Sequence, residues 1–133
     1  MPGFFALANA LLIHLTRSPL FEITIPGKTM AYLACGKPII CSAAGDVAQI
    51  VREAGAGLVC PPEDPRALAR TVRELYNMGP RDRESMGQRG RKTFLTHYTR
   101  EVLVDRYESL FHQIVEQHKN RRTSLDTKGM ITL

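Results

Sequence analysis

Ile23-Thr-Ile-Pro-Gly-Lys-Thr-Met-Ala-Tyr-Leu-Ala-Cys-Gly-Lys-Pro-Ile39 is the stretch whose reading decides the fold. An irregular loop leads into a helix opening at Pro26, and Gly36-Lys37-Pro38 turns the chain out of that helix into an apolar strand. Proline suits the first helical position because the N–H it lacks has no intrahelical partner there. Gly27, Lys28 and Thr29 then supply free backbone N–H groups, a cation and a hydroxyl at the positive end of the helix dipole. Such an end binds anions.

Outward from this stretch, apolar runs of strand length alternate with helical patterns. Leu11–Leu15 reads as a first strand after a scrap of helix at Phe4–Ala10, and residues 16–25 as a loop. The helix Pro26–Cys35 leads to a second strand, Lys37–Ser42. Val47–Ala54 has Ala48, Val51 and Ala54 at helical spacing and stops at Gly55, before a third strand, Ala56–Cys60. Asp64 and Pro65 are cap and first residue of a further helix running to about Met78. Gly79-Pro80 breaks it, a polar helix follows to about His97, and Thr99 caps a last helix to about Gln117. On that helix Leu103, Tyr107, Leu110, Phe111 and Ile114 share one face. Successive strands joined through helices pair in parallel, so the fold class is α/β, a partial doubly wound parallel sheet with C-terminal helices. Residues 1–117 are expected to form the domain and residues 118–133, without period or apolar content, a disordered tail.

The chain has 133 residues, enough for one modest core, and its 44% hydrophobic content is that of a globular protein. No run approaches the roughly 20 apolar residues of a membrane span, and Phe4–Leu15 lacks the pattern of a secretory signal. A cytoplasmic location is expected, with peripheral contact at the inner face of a membrane. The net charge is +5, and residues 81–133 hold 11 Lys/Arg against 7 Asp/Glu. That excess suits an anionic surface, yet Arg81, Arg83, Arg89, Arg91 and Lys92 alternate with acids and polar groups, as on solvated helix faces. Nucleic acid is not expected as a partner. Cys35, Cys41 and Cys60 are odd in number and lack C-x-x-C spacing, which favours small buried thiols over disulfide or zinc. No metal and no cofactor are expected.

Several segments in order resemble one family. They are Phe5–Leu15, Ser18–Thr29, Tyr32–Ile39, Gly45-Asp46 and Ala56–Pro65. From Phe4 to about Phe111 the chain resembles the C-terminal nucleotide-sugar-binding half of a family 4 glycosyltransferase of the two-Rossmann GT-B type. The likeness is to bacterial surface-polysaccharide enzymes of N-acetylhexosaminyl or fucosaminyl transfer. The resemblance implies transfer of a sugar from a nucleotide-diphosphate donor, UDP-linked, to a glycan or lipid-linked acceptor with a retaining mechanism. It also implies an N-terminal domain, missing here, that carries acceptor contacts and any acid or base; no catalytic residue is assigned in this chain. In such sheets the ligand lies beyond the carboxyl ends of the strands, so the loop after Leu15 forms one lip of the crevice.

The donor-binding candidates that follow are Glu22, Thr24, Pro26, Gly27, Lys28 and Thr29. The wider family has two glutamates eight positions apart, which here fall on Ile23 and Ala31, neither acidic; Glu22 lies one residue away from the first. The branch with a Pro-Ser-Lys-Thr loop often lacks that pair, and Gly27 stands where it has serine. A phosphate-binding loop of the NTPase type needs a glycine five residues before Gly27, where Glu22 stands. Lys28 as a phosphate contact competes with Lys28 as a surface lysine, and Glu22 as a sugar contact with a solvated carboxylate. His14 reads as a strand or rim residue, and His97, His112 and His118 as surface groups. Two other classes stay open: a non-catalytic nucleotide-binding or scaffold piece, and a sugar-nucleotide 2-epimerase of the same architecture.

Overall fold

The computed structural model describes the backbone of residues 2–129 and the side chains of residues 3–119. Its elements in chain order are α1 (Pro2–Leu7), β1 (Leu11–His14), α2 (Pro19–Glu22), α3 (Gly27–Cys35), β2 (Ile39–Ser42), α4 (Asp46–Glu53), β3 (Gly57–Cys60), α5 (Pro65–Asn77), α6 (Pro80–His97) and α7 (Arg100–Gly129). The three strands form one sheet in the order β1-β2-β3, and both pairings are parallel. This is the α/β class expected from alternation of strand and helix.

Register sorts the apolar residues between the two faces, because side chains directly opposite one another point the same way. Ile13 lies opposite Cys41 and Cys41 opposite Val59, whereas Leu12, Ile40 and Leu58 line the other face. The first face packs on Leu33 from α3 and on Val47, Ala48 and Val51 from α4. Ile13, Leu33, Ile39, Val47 and Val51 are all fully buried, worth about 1.5–3 kcal/mol apiece in transfer terms. The second face packs Ile40 and Leu58 against Leu68 and Leu75 of α5 and Met86 of α6. Helix α5 covers β2 and β3, and Leu12 on β1 stays 47% exposed.

Local signals set most boundaries. Asp64 accepts a hydrogen bond from the Ala67 N–H at 2.8 Å and Pro65 opens α5, as expected from their order. Helix α4 carries Asp46 in its first turn and Arg52 in its last, both favourable to its dipole. Residues 16–25 hold a short helix, α2, where a plain loop was expected; the Ser18 hydroxyl caps it by accepting from the Leu20 N–H at 3.3 Å.

Helix α6 departs most from its sequence reading. Met86, Gly87 and Gly90 are buried, and the helix packs along α3. A β-carbon on Gly87 would lie 2.0 Å from the Gly36 carbonyl oxygen, so only glycine permits this approach. Arg89 and Arg91 are exposed, as expected of a solvated face, and each also hydrogen-bonds to a neighbouring element. Arg89 Nε donates to the Gly55 carbonyl at 2.9 Å and Arg91 Nη1 to the Ala34 carbonyl at 2.8 Å. These carbonyls belong to the ends of α4 and α3, where helix oxygens lack intrahelical partners and cations are favoured.

The residues up to Tyr98 and those from Thr99 on are two separate compact units. The second is α7, which continues to Gly129, past the stop expected near Gln117. The Thr99 hydroxyl accepts from the Val102 N–H at 3.4 Å, and the Tyr107 and Phe111 rings stack with centroids 6.4 Å apart. Residues 130–133 of the expected tail lie outside the described residues. Among the described residues no helix is long and apolar enough to cross a membrane.

Candidate functional site

Parallel strands deliver their carboxyl ends to one edge of the sheet, and three loops leave from there: residues 15–26 after β1, 43–45 after β2 and 61–64 after β3. The candidate donor residues all lie on the first loop or on the start of α3 that it feeds.

Pro26 is the residue before the helix and not its first, with φ −60° and ψ 137°, and no side chain caps it. Gly27 is therefore the first helical residue. The Thr29 N–H closes onto the Pro26 carbonyl at 2.8 Å, which leaves the N–H groups of Gly27 and Lys28 as the open donors of this end. Gly27 and Lys28 are both exposed. A β-carbon on Gly27 would meet nothing within 4 Å, so a serine fits there without displacing the backbone.

The two threonines behave differently from one another. Thr24 Oγ1 donates to the Leu20 carbonyl at 2.5 Å and so ties the loop to α2. Thr29 is fully buried beneath the helix start, and its Oγ1 has no hydrogen-bond partner. A buried hydroxyl without a partner is uncommon enough to call for an explanation.

Glu22 ends α2 with an exposed side chain, while its backbone is pressed against Gly45. Gly45 has φ 72° and ψ −149°, a conformation essentially restricted to glycine. Its missing β-carbon would lie 2.0 Å from the Glu22 carbonyl oxygen. The sequence supplies the Gly45-Asp46 pair, but the need for glycine comes from a segment 23 positions earlier, which no local pattern reveals.

Cations gather at this edge. Burial, and after it Cys60, raise the Cys41 thiol while Arg52 and Lys28 pull it down, and the outcome is about 11. Two cations from different helices thus act on one residue near the carboxyl end of β2. Arg17, Glu22, Ala43, Ala44, Gly45, Arg52, Pro61 and Pro62 bound a cavity of about 320 Å³ drawn from all three loops. Sequence reading did not single out Arg17 or Arg52, since neither sits in a spaced motif. Elsewhere, His14 lines a smaller cavity of about 260 Å³ with Glu63, Asp64, Pro65 and Leu68. Among the described residues no cluster of His, Cys, Asp and Glu could hold a metal ion.

Residues 28–93 match the family model described as Glycosyl transferases group 1, so the match begins at Lys28 and ends within α6. Over that segment the chain is similar to glycosyltransferases of this group. It is 26% identical over 102 residues to a probable glycosyltransferase, WbjE, of Pseudomonas aeruginosa, covering 75% of this chain and 25% of that protein. It is 25% identical over 88 residues to the N-acetyl-alpha-D-glucosaminyl L-malate synthase of Bacillus anthracis, covering 66% of this chain and 23% of the relative. The sucrose-phosphate synthase structure from Thermosynechococcus elongatus superposes with a TM-score of 0.71 at 24% identity, over 86% of this chain and 27% of that one. That superposition shows the fold. The chain spans about a quarter of the length of the curated relatives it matches.

Proposed function

We propose that this chain is the nucleotide-sugar-binding part of a retaining glycosyltransferase of the family 4 type. It would transfer a hexose or N-acetylhexosamine from a UDP-linked donor to a glycan or lipid-linked acceptor. The process would be bacterial surface-polysaccharide synthesis, at or near the inner face of a membrane. The reading assigns the acceptor contacts and any acid or base to a domain beyond these 133 residues, so the chain alone does not turn over a donor.

The observation that carries this reading is the open start of α3, where the exposed Lys28 stands beside two unpaired N–H donors at the carboxyl edge of a parallel sheet. A lysine in a first helical turn is disfavoured by the dipole, and an anion placed there reverses the sign of that interaction. In sugar transfer, charge develops on the leaving diphosphate. Donors fixed in advance stabilise that charge more than the ground state, by a few kcal/mol in typical cases. Glu22 and Thr24 would lie on the sugar side of the diphosphate, and Pro26 holds the backbone that presents Gly27 and Lys28.

Titrating UDP into the 133-residue chain, followed by amide chemical shifts, tests the reading. Shifts centred on residues 27–29 with a Kd of roughly 0.1–1 mM are expected. Lys28→Ala should weaken binding about tenfold, the scale of one charge-assisted contact. Shifts confined to residues 81–119 would overturn it.

A further inference from the structure

We propose that β1 is an open docking edge at which a second copy of this chain adds, its β1 antiparallel to the first, so that the two sheets join about a twofold axis through Ile13. The inference stands apart from the transferase reading and uses none of its site residues.

The backbone opens this edge. Among the described residues β1 pairs with β2 alone. The Leu11 and Leu15 N–H groups donate to the carbonyls of Pro38 and Ser42 at 2.9 and 3.0 Å. In a parallel ladder the N–H and C=O of one residue point to the same side, and the side alternates along the strand. The N–H and C=O groups of Leu12 and His14 therefore point away from β2, and both residues are exposed. The other edge, β3, differs: none of its residues is exposed, and Pro61 and Pro62, which have no N–H, follow it. Proteins keep strand edges from pairing with charges, prolines or covering elements. β1 has no proline, the first sixteen residues hold no Lys, Arg, Asp or Glu, and α5 leaves the Leu12 face of β1 open.

Register names a second copy as the occupant. With the axis at Ile13, Leu12 lies opposite the partner's His14 and His14 opposite the partner's Leu12. Each opposed pair exchanges both its hydrogen bonds, so all the outward groups of both strands are satisfied at once. The side chains agree. Leu12 meets the partner's His14 on the open face, and on the other face Ile13 meets the partner's Ile13 and Leu11 the partner's Leu15. Antiparallel pairing also sets the amino end of one strand beside the carboxyl end of the other. Helix α1, just before β1, exposes Phe4 and Leu7, and the loop after β1 exposes Leu20 and Ile23. Within one copy these apolar groups belong to opposite ends of the strand, and a second copy brings each set to the other. Such self-complementarity is what a twofold contact requires. An unrelated extended peptide would satisfy the backbone groups but not the two apolar ends.

The test uses the full 133-residue chain. An interface this small is expected to have a Kd of roughly 10–100 µM, so sedimentation velocity from about 1 to 500 µM should pass from monomer to dimer mass. Leu12→Lys, at an exposed position, should leave the far-UV circular dichroism unchanged and raise the Kd about tenfold or more. Leu12→Val should keep the dimer. Oxidising a mixture of Leu12→Cys and His14→Cys chains should give the mixed disulfide, while Leu12→Cys alone should link far less, because only the opposed pair is within reach. Phe111→Ser, on the exposed apolar stripe of α7, should leave the Kd unchanged. A monomer across the whole range would overturn the proposal, as would dissociation by Phe111→Ser with Leu12→Lys still dimeric. Leu12→Cys linking to itself faster than in the mixture would overturn it too, since that is the result of parallel pairing.

Discussion

The carbonyl oxygen of Glu22 occupies the space that a β-carbon on Gly45 would need, 2.0 Å from its ideal position. The loop bearing the donor candidates and the loop after β2 are therefore set against each other by backbone alone. Gly45→Ala combines that clash with a φ of 72° that alanine rarely adopts, and is expected to destabilise by about 2–4 kcal/mol. Urea unfolding measures this. A change under 1 kcal/mol would mean that the loop yields freely and the contact positions nothing.

Gly27 and Gly87 make a matched pair of opposite sign. Gly27→Ala adds a β-carbon to open space and should be neutral or stabilising by roughly 0.5 kcal/mol. Gly87→Ala gains about 1 kcal/mol of helix propensity, yet drives a β-carbon into the Gly36 carbonyl, so a net loss of about 2 kcal/mol or more is expected. Melting temperatures of the two variants should move in opposite directions or differ by many degrees.

Thr29→Val tests why a hydroxyl is buried without a partner at the head of α3. Removing an unsatisfied polar group should stabilise the ligand-free chain by about 1 kcal/mol. If UDP affinity falls at the same time, the hydroxyl serves the bound state; if affinity holds, Thr29 leaves the donor site.

Cys41 gives a pH dependence of definite sign. Its thiol sits well above the ordinary 9.0, at about 11, so the native chain keeps a proton that the unfolded chain releases between these values. The corresponding stability is complete below about pH 9 and is lost as the pH rises through 11. Wild type should lose roughly 1–2 kcal/mol more than Cys41→Ala between pH 8 and pH 10.5. Parallel losses would show that other groups govern the alkaline limb.

What the sequence discloses and what it hides separate by distance along the chain. The Asp64-Pro65 start of α5 and the strand-helix alternation are legible because cap and first turn lie within three residues, and apolar runs are read within windows of similar length. The start of α3 is legible to within one residue, since proline is compatible with both the cap and the first helical position. Gly87 was read as one residue of a polar helix because its partner, Gly36, is far away in sequence. Arg17 and Arg52 are ordinary surface cations until the sheet brings the loops after its strands together. The short helix α2 is hidden for another reason: four residues are too few to display a period.

The Arg91 bridge to the Ala34 carbonyl has a consequence in time. During synthesis that carbonyl must wait for 57 further residues before its guanidinium partner exists. At about 5–20 residues per second this is an interval of roughly 3–11 s. Throughout it, the loop and helix that carry Gly27 and Lys28 are already made while the far end of that helix stays unfastened, waiting for a residue the ribosome has yet to reach.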